Sequence, residues 1–154
     1  MKNGLFTMSE ERDLKLKEKY PKILARLGGR PSETCMSWEH GGIAIGDGWI
    51  PLLEKVFQYC QFHHDNNGYP QLVAEQIKEK FGTLSFYYSF EECDSENAKY
   101  GKQFNRTFDK LEGAIEFAEF LTSEICEVCG NPGVMNNKGW LKVRCEKHRG
   151  IWNE

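Results

Sequence analysis

Cys126 and Cys129, separated by two residues in Cys-Glu-Val-Cys-Gly, are followed after fifteen residues by Cys145-Glu-Lys-His148. Two such pairs of thiolate and imidazole donors make the ligand set of a tetrahedral Zn²⁺ site. Each pair supplies two ligands from one tight turn, so folding closes a single loop around the ion. The spacing predicts one structural Zn²⁺ per chain, held by Cys126, Cys129, Cys145 and His148. Four protein ligands leave no position for a reacting water, and the ion's binding free energy becomes folding free energy.

Other residue groups have weaker chemical meaning. Knuckles of this kind occur in metal-dependent nucleases that carry a catalytic histidine between the ligand pairs, but Gly130 to Arg144 contains no histidine. His63-His64-Asp65-Asn66 lies far upstream, at what reads as a helix end, and a nuclease would need a second metal there. Cys35 with Glu39-His40 has the elements of a nucleophile and its base, yet a lone cysteine in a loop is more often incidental. Gly46-Asp47-Gly48-Trp49 lacks both the Gly-Lys-Ser/Thr of a phosphate loop and the third glycine of a dinucleotide fingerprint. It reads as a turn and helix cap, with Trp49 either a core anchor or an aromatic plane beside a helix N-terminus, where backbone N–H groups favour anions. Lys78, Lys80 and Tyr87 alternate along one strand face, which is either solvated or the lining of a pocket. In a pocket the two cations and the phenol would hold phosphate and sugar while Trp49 or Tyr88 stacks on a base. Lys138, Lys142, Arg144, Lys147 and Arg149 make the C-terminal module locally basic, so charge favours nucleic-acid contact there.

The elements that position these groups follow from periodicity and punctuation. Thr7-Met8-Ser9-Glu10 is a capping box opening a charged helix that breaks near Pro21, and Ile23, Leu24 and Leu27 continue its apolar stripe to Gly28-Gly29. Arg30 to Gly48 reads as a structured loop with a short strand at Ile43-Ala44-Ile45. A helix with Pro51 in its first turn then repeats Leu53, Val56, Phe57 and Cys60 at helical spacing up to Gly68. Leu72 to Phe90 reads as a hairpin. A turn at Gly82-Thr83 places Ile77, Phe81, Leu84, Phe86 and Tyr88 on one side, and Lys78, Lys80, Ser85 and Tyr87 on the other. Residues 91–106 are polar and read as a mobile segment or lid. Thr107 caps a helix striped by Phe108, Leu111, Ile115, Ala118, Thr122 and Ile125, which leads into Cys126. Trp140 to Arg144 reads as a short strand feeding the second ligand pair.

A chain of 154 residues is expected to fold as one unit that buries roughly 70% of its unfolded surface. With 20 Lys plus Arg against 23 Asp plus Glu, the net charge of −3 gives no broad grip on a polyanion. No stretch approaches the ~20 apolar residues that span a bilayer, and the N-terminus lacks the apolar core of a signal peptide. Cys35, Cys60 and Cys93 remain outside the metal set. Free thiols beside a metal fit a reducing cytoplasm.

Three pieces in this order resemble a family of small, functionally uncharacterised proteins carried by bacteriophages and prophages. They are Gly46-Asp47-Gly48-Trp49 with its helix, the run from Gln76 to Tyr88 containing Lys-Glu-Lys-Phe-Gly-Thr-Leu, and the Cys126–His148 knuckle with Gly139-Trp140. The resemblance covers most of residues 46–150. It implies a viral context and the cytoplasm of a bacterial host, and it supplies no catalytic residues. The expected architecture is α+β: a small antiparallel sheet flanked by helices over residues 1–125, with a zinc ribbon or treble-clef-like knuckle over 126–150 packed on it. The expected function is binding without turnover. In that reading a phage accessory protein inhibits host defence by sequestering a small anionic, nucleotide-derived signal with Trp49, Lys78, Lys80, Tyr87 and Tyr88. One alternative is a zinc-ribbon adaptor that binds nucleic acid or a host protein through Lys138 to Arg149, and another is the nuclease. A homo-oligomer is compatible with each.

Overall fold

The computed structural model describes residues 7–91 and 101–150, with only the backbone for 101–105. Helix α1 spans Met8–Lys19 and opens with the expected capping box, Thr7 and Glu10 each bonding the other's backbone N–H. Past Pro21 the chain continues as turns that bury Ile23, Leu24 and Leu27. Strand β1 is Ile43–Ala44. A tight turn of 3-10 helix at Asp47–Trp49 leads into α2, Ile50–Asn67, which carries Pro51 in its first turn and ends on Gly68 in the left-handed conformation. Leu53, Val56, Phe57 and Cys60 are its buried stripe.

Strands β2, Leu72–Lys80, and β3, Thr83–Phe90, form the expected antiparallel hairpin. The sheet order is β1-β2-β3, and β1 pairs parallel with β2, Ile43 opposite Ile77. The sheet is therefore mixed where a wholly antiparallel one was expected. The cause is α2, a crossover that brings the chain back in the same direction before β2 begins.

The turn also differs from expectation. It is centred on Phe81-Gly82, with φ of 53° and 82° respectively, and Phe81 is 70% exposed. Two-residue hairpin turns of the type that matches strand twist need positive φ at both central residues. Phe81 thus leaves the inward row, while Ile77, Leu84 and Phe86 stay buried. A side chain in the left-handed region costs about 1–2 kcal/mol, so Phe81→Asn is expected to raise stability by about 1 kcal/mol in thermal melts.

Helix α3 runs from Gly101 to Leu121, so Thr107 sits inside it and is not its cap. Lys, Gln and Arg before Thr107 are good helix formers and carry the helix further back than the cap rule implied. Of the expected lid, 101–106 is helical and 92–100 lies outside the described residues. Leu111, Ile115 and Ala118 face the core, where Phe57 and Phe86 meet at 6.1 Å between ring centroids. The outer edge of β3 is covered by side chains: Leu84 N–H donates to Thr122 Oγ1 at 2.9 Å and Phe86 N–H to Glu119 Oε1 at 2.8 Å. The C-terminal module follows, with β4, Val134–Met135, antiparallel to β5, Val143–Arg144. Trp140 belongs to the loop between them and not to the strand expected there. No helix among the described residues is long and apolar enough to cross a membrane.

Candidate metal centre and its surroundings

The end of α3 delivers Ile125 in extended conformation to Cys126, and the chain then turns tightly so that Gly130 N–H returns to Cys126 O at 2.8 Å. Of the second pair, Cys145 precedes a one-turn 3-10 helix after β5 and His148 is its last residue. One donor atom from each of Cys126, Cys129, Cys145 and His148 lies within 4.8 Å of all the others, so the four could hold one metal ion. Cys129 Sγ and Cys145 Sγ are 3.7 Å apart, and Cys126 Sγ is 3.6 Å from His148 Nδ1. A tetrahedral ion about 2.3 Å from each sulfur requires S···S edges of about 3.8 Å, so these spacings fit one. Burial pushes the Cys126 thiol up, but the backbone groups of Cys145, Cys129 and Val128 and the His148 ring outweigh it and hold the thiol at about 6. The Cys129 thiol beside it is pushed up instead: the Asn131 backbone N–H lowers it, but burial and the sulfurs of Cys145 and Cys126 outweigh that bond. Cys126 is therefore the thiol of this pair closer to the thiolate form a metal binds. Cys60, by contrast, is pushed up to about 12 by burial and is chemically inert.

The knuckle is fastened to the α+β layer by the Gly46-Asp47-Gly48-Trp49 segment. Gly48 N–H donates to Glu127 O at 2.7 Å, Gly46 N–H to Glu127 Oε1 at 3.1 Å, and Trp49 Nε1 to Ile125 O at 2.8 Å. A Cβ on Gly48 would lie 2.2 Å from Cys126 O and 2.5 Å from Gly130 N, and one on Gly46 would lie 2.4 Å from Glu127 O. The two glycines thus admit the backbone of the first ligand turn against their own. From the other side, Arg12 of α1 donates to Ile43 O, Ile45 O and Asp47, while its neighbour Asp13 accepts Ile43 N–H at 3.0 Å. Asp13 is 1% exposed, and burial pushes its carboxyl up despite that N–H and Arg12. Glu127, nearly buried, pairs with Arg144 at 3.3 Å and with Lys142 at 3.9 Å, and Lys142 reaches Glu79 at 2.7 Å.

The residues expected to hold a nucleotide do not converge. Trp49 is fully buried, its indole N–H spent on Ile125 O, so it cannot stack on a ligand. Tyr88 lies against Phe86 and Phe90 on the helix-covered face. Lys78, Ser85 and Tyr87 do share the opposite face, with Lys78 Nζ 5.8 Å from the centre of the Tyr87 ring. Lys80 stands at the hairpin end, its Nζ 5.6 Å from the exposed Phe81 ring. Lys78 lines a cavity of about 630 Å³, but Arg12, Lys142 and Arg144 there are already neutralised by Asp47, Glu79 and Glu127. His63 is stacked at 4.6 Å on Tyr69 and bonded to Asn67, while His64 Nδ1 meets Tyr69 O at 2.7 Å. Cys35 is exposed, and among the described residues no hydrogen bond joins it to His40.

A different surface is built beside the candidate metal ligands. The loop between β4 and β5 is braced by Asn136, whose Nδ2 donates to Lys138 O and Trp140 O and whose Oδ1 accepts Lys142 N–H, all within 2.6–2.7 Å. It holds Trp140 85% exposed, and Val134 of β4 is 63% exposed. With Lys138 and Arg149 these line a groove of about 780 Å³. Of the five C-terminal cations, Lys142 and Arg144 are tied into the internal ion pairs. Lys138, Lys147 and Arg149 form none among the described residues. An aromatic between two lysines in a short polar segment was the sequence signal for this surface, and the strand reading of Trp140 to Arg144 hid it.

No protein-family model, curated protein or solved structure matches this chain.

Proposed function

We propose that this protein binds an anionic macromolecule through the groove of its C-terminal knuckle, with a structural Zn²⁺ at Cys126, Cys129, Cys145 and His148 fixing the shape of that groove. Three thiolates and one imidazole suit Zn²⁺ over harder cations, and a closed ligand set gives the ion a scaffolding role. The observation that carries the reading is Trp140, 85% exposed on a loop closed by three hydrogen bonds of one asparagine, next to the free cations Lys138 and Arg149. A large aromatic left in water on a braced loop is a contact residue in waiting: it offers rigid apolar area at small entropic cost. The cations supply attraction that the chain as a whole, at −3, does not.

Heparin chromatography tests the polyanion part. The zinc-loaded protein is expected to be retained and to elute with salt. A Lys138→Glu, Arg149→Glu variant, which alters only exposed residues, is expected to keep its zinc and melting temperature and to pass through unretained. Unchanged retention of that variant would place the anion contact elsewhere.

A further inference from the structure

Resting on the knuckle-groove reading, we infer that the anionic partner is single-stranded nucleic acid, with a base stacked on the Trp140 indole and the flanking phosphates held by Lys138, Lys147 and Arg149. Three features favour this partner over a duplex or an acidic protein face.

The first is the aromatic. An indole 85% exposed needs a flat apolar partner, and an unstacked base offers one, whereas the base faces of a duplex are covered by their neighbours. The second is the footprint. The groove of about 780 Å³ is lined by residues 134–140 with Arg144 and Arg149, and its unpaired cations Lys138 and Arg149, with Lys147 exposed two residues before Arg149, match the phosphates of a few nucleotides. The third is the charge elsewhere. The net charge is −3, and exposed Asp109, Glu112 and Glu116 of α3 stand beside exposed Arg106 and Lys110, so the chain offers a long rigid polyanion no broad positive face beyond the knuckle. A flexible strand can touch the basic patch and leave. Recognition of this kind tolerates sequence, since every base has a π face.

Fluorescence anisotropy with a labelled 12-mer of oligothymidylate, the same length of oligouridylate and a 12-base-pair duplex tests the inference in the zinc-loaded protein. The single strands are expected to bind at least ~10-fold tighter than the duplex. Stacking by one aromatic corresponds to about 1–3 kcal/mol per base, so Trp140→Ala should weaken single-strand binding by roughly 5- to 150-fold while Trp140→Phe retains part of it. Both variants should keep zinc content and melting temperature, because the side chain is exposed. Three phosphate contacts give a log–log salt slope of about −2 for a single strand. Equal or tighter duplex binding, or no effect of Trp140→Ala, overturns the inference and leaves the polyanion surface standing. Heparin retention without binding to any of the three oligonucleotides overturns it in favour of an acidic protein partner. Failure of heparin and oligonucleotides alike removes both.

Discussion

Gly48→Ala is expected to destabilise the protein by about 3–5 kcal/mol, with a melting temperature lowered by roughly 10–15 °C. The new methyl group would fall 2.2 Å from Cys126 O and 2.5 Å from Gly130 N. Both are backbone atoms of the ligand turn, so no side chain can rotate away, and relief requires the knuckle to lift off. Lifting it breaks the Gly48–Glu127 and Trp49–Ile125 hydrogen bonds together. Gly113→Ala is the control. A Cβ there meets nothing within 4 Å, and in the middle of α3 the exchange should stabilise by about 0.5–1 kcal/mol. Parallel thermal melts with zinc analysis decide the matter, and equal effects of the two substitutions would refute the close approach.

On the proposed zinc reading, removing the metal is expected to have the other large effect. Structural zinc contributes apparent binding free energies of about 10–16 kcal/mol in small knuckles, more than the whole stability of a typical domain. The knuckle has β strands of two residues each, and among its described residues Val143 and Cys126 are the buried hydrophobics, so without the ion it has no core of its own. Strong chelator, or Cys126→Ser, should therefore unfold the module. Because Trp49 is bonded into it, the N-terminus of α2 should lose protection at the same time. Hydrogen exchange at the Trp49 indole reads this directly. Cys35→Ser, at an exposed position outside the ligand set, should leave zinc and stability unchanged. If chelation removes the ion while Trp49 stays protected, the knuckle is an appendage and not part of the folding unit.

What was legible in the sequence was what is local. The capping box of α1, the Pro51 start and Gly68 end of α2, the hairpin and each of the two candidate ligand pairs depend on residues within a few positions of one another, where spacing maps onto geometry. What was not legible depends on long-range contact. Gly46-Asp47-Gly48-Trp49 reads locally as a turn and helix cap, while the reason for its glycines is backbone about eighty positions further on, as the Gly48 N–H to Glu127 O bond and the close approach of Glu127 O to Gly46 record. Trp49 was open to two readings for the same reason, since burial is a property of the partner as much as of the residue. Phe81 was drawn into the apolar row by counting alternation, while the turn's demand for positive φ places it outside. The basic C-terminal run looked like five equivalent cations. Only packing sorts Lys142 and Arg144, held by Glu79 and Glu127, from Lys138, Lys147 and Arg149.

The working surface is tested most directly by amide and indole chemical-shift mapping on the zinc-loaded, ¹⁵N-labelled protein as oligothymidylate is added. The expected result is a contiguous set of shifts at the Trp140 indole N–H and the backbone of Lys138, Gly139 and Arg149, with the Trp49 indole and the Lys78–Tyr87 face unmoved. Shifts centred on Lys78, Lys80 and Tyr87, or no shifts at the Trp140 loop at any concentration, would contradict it.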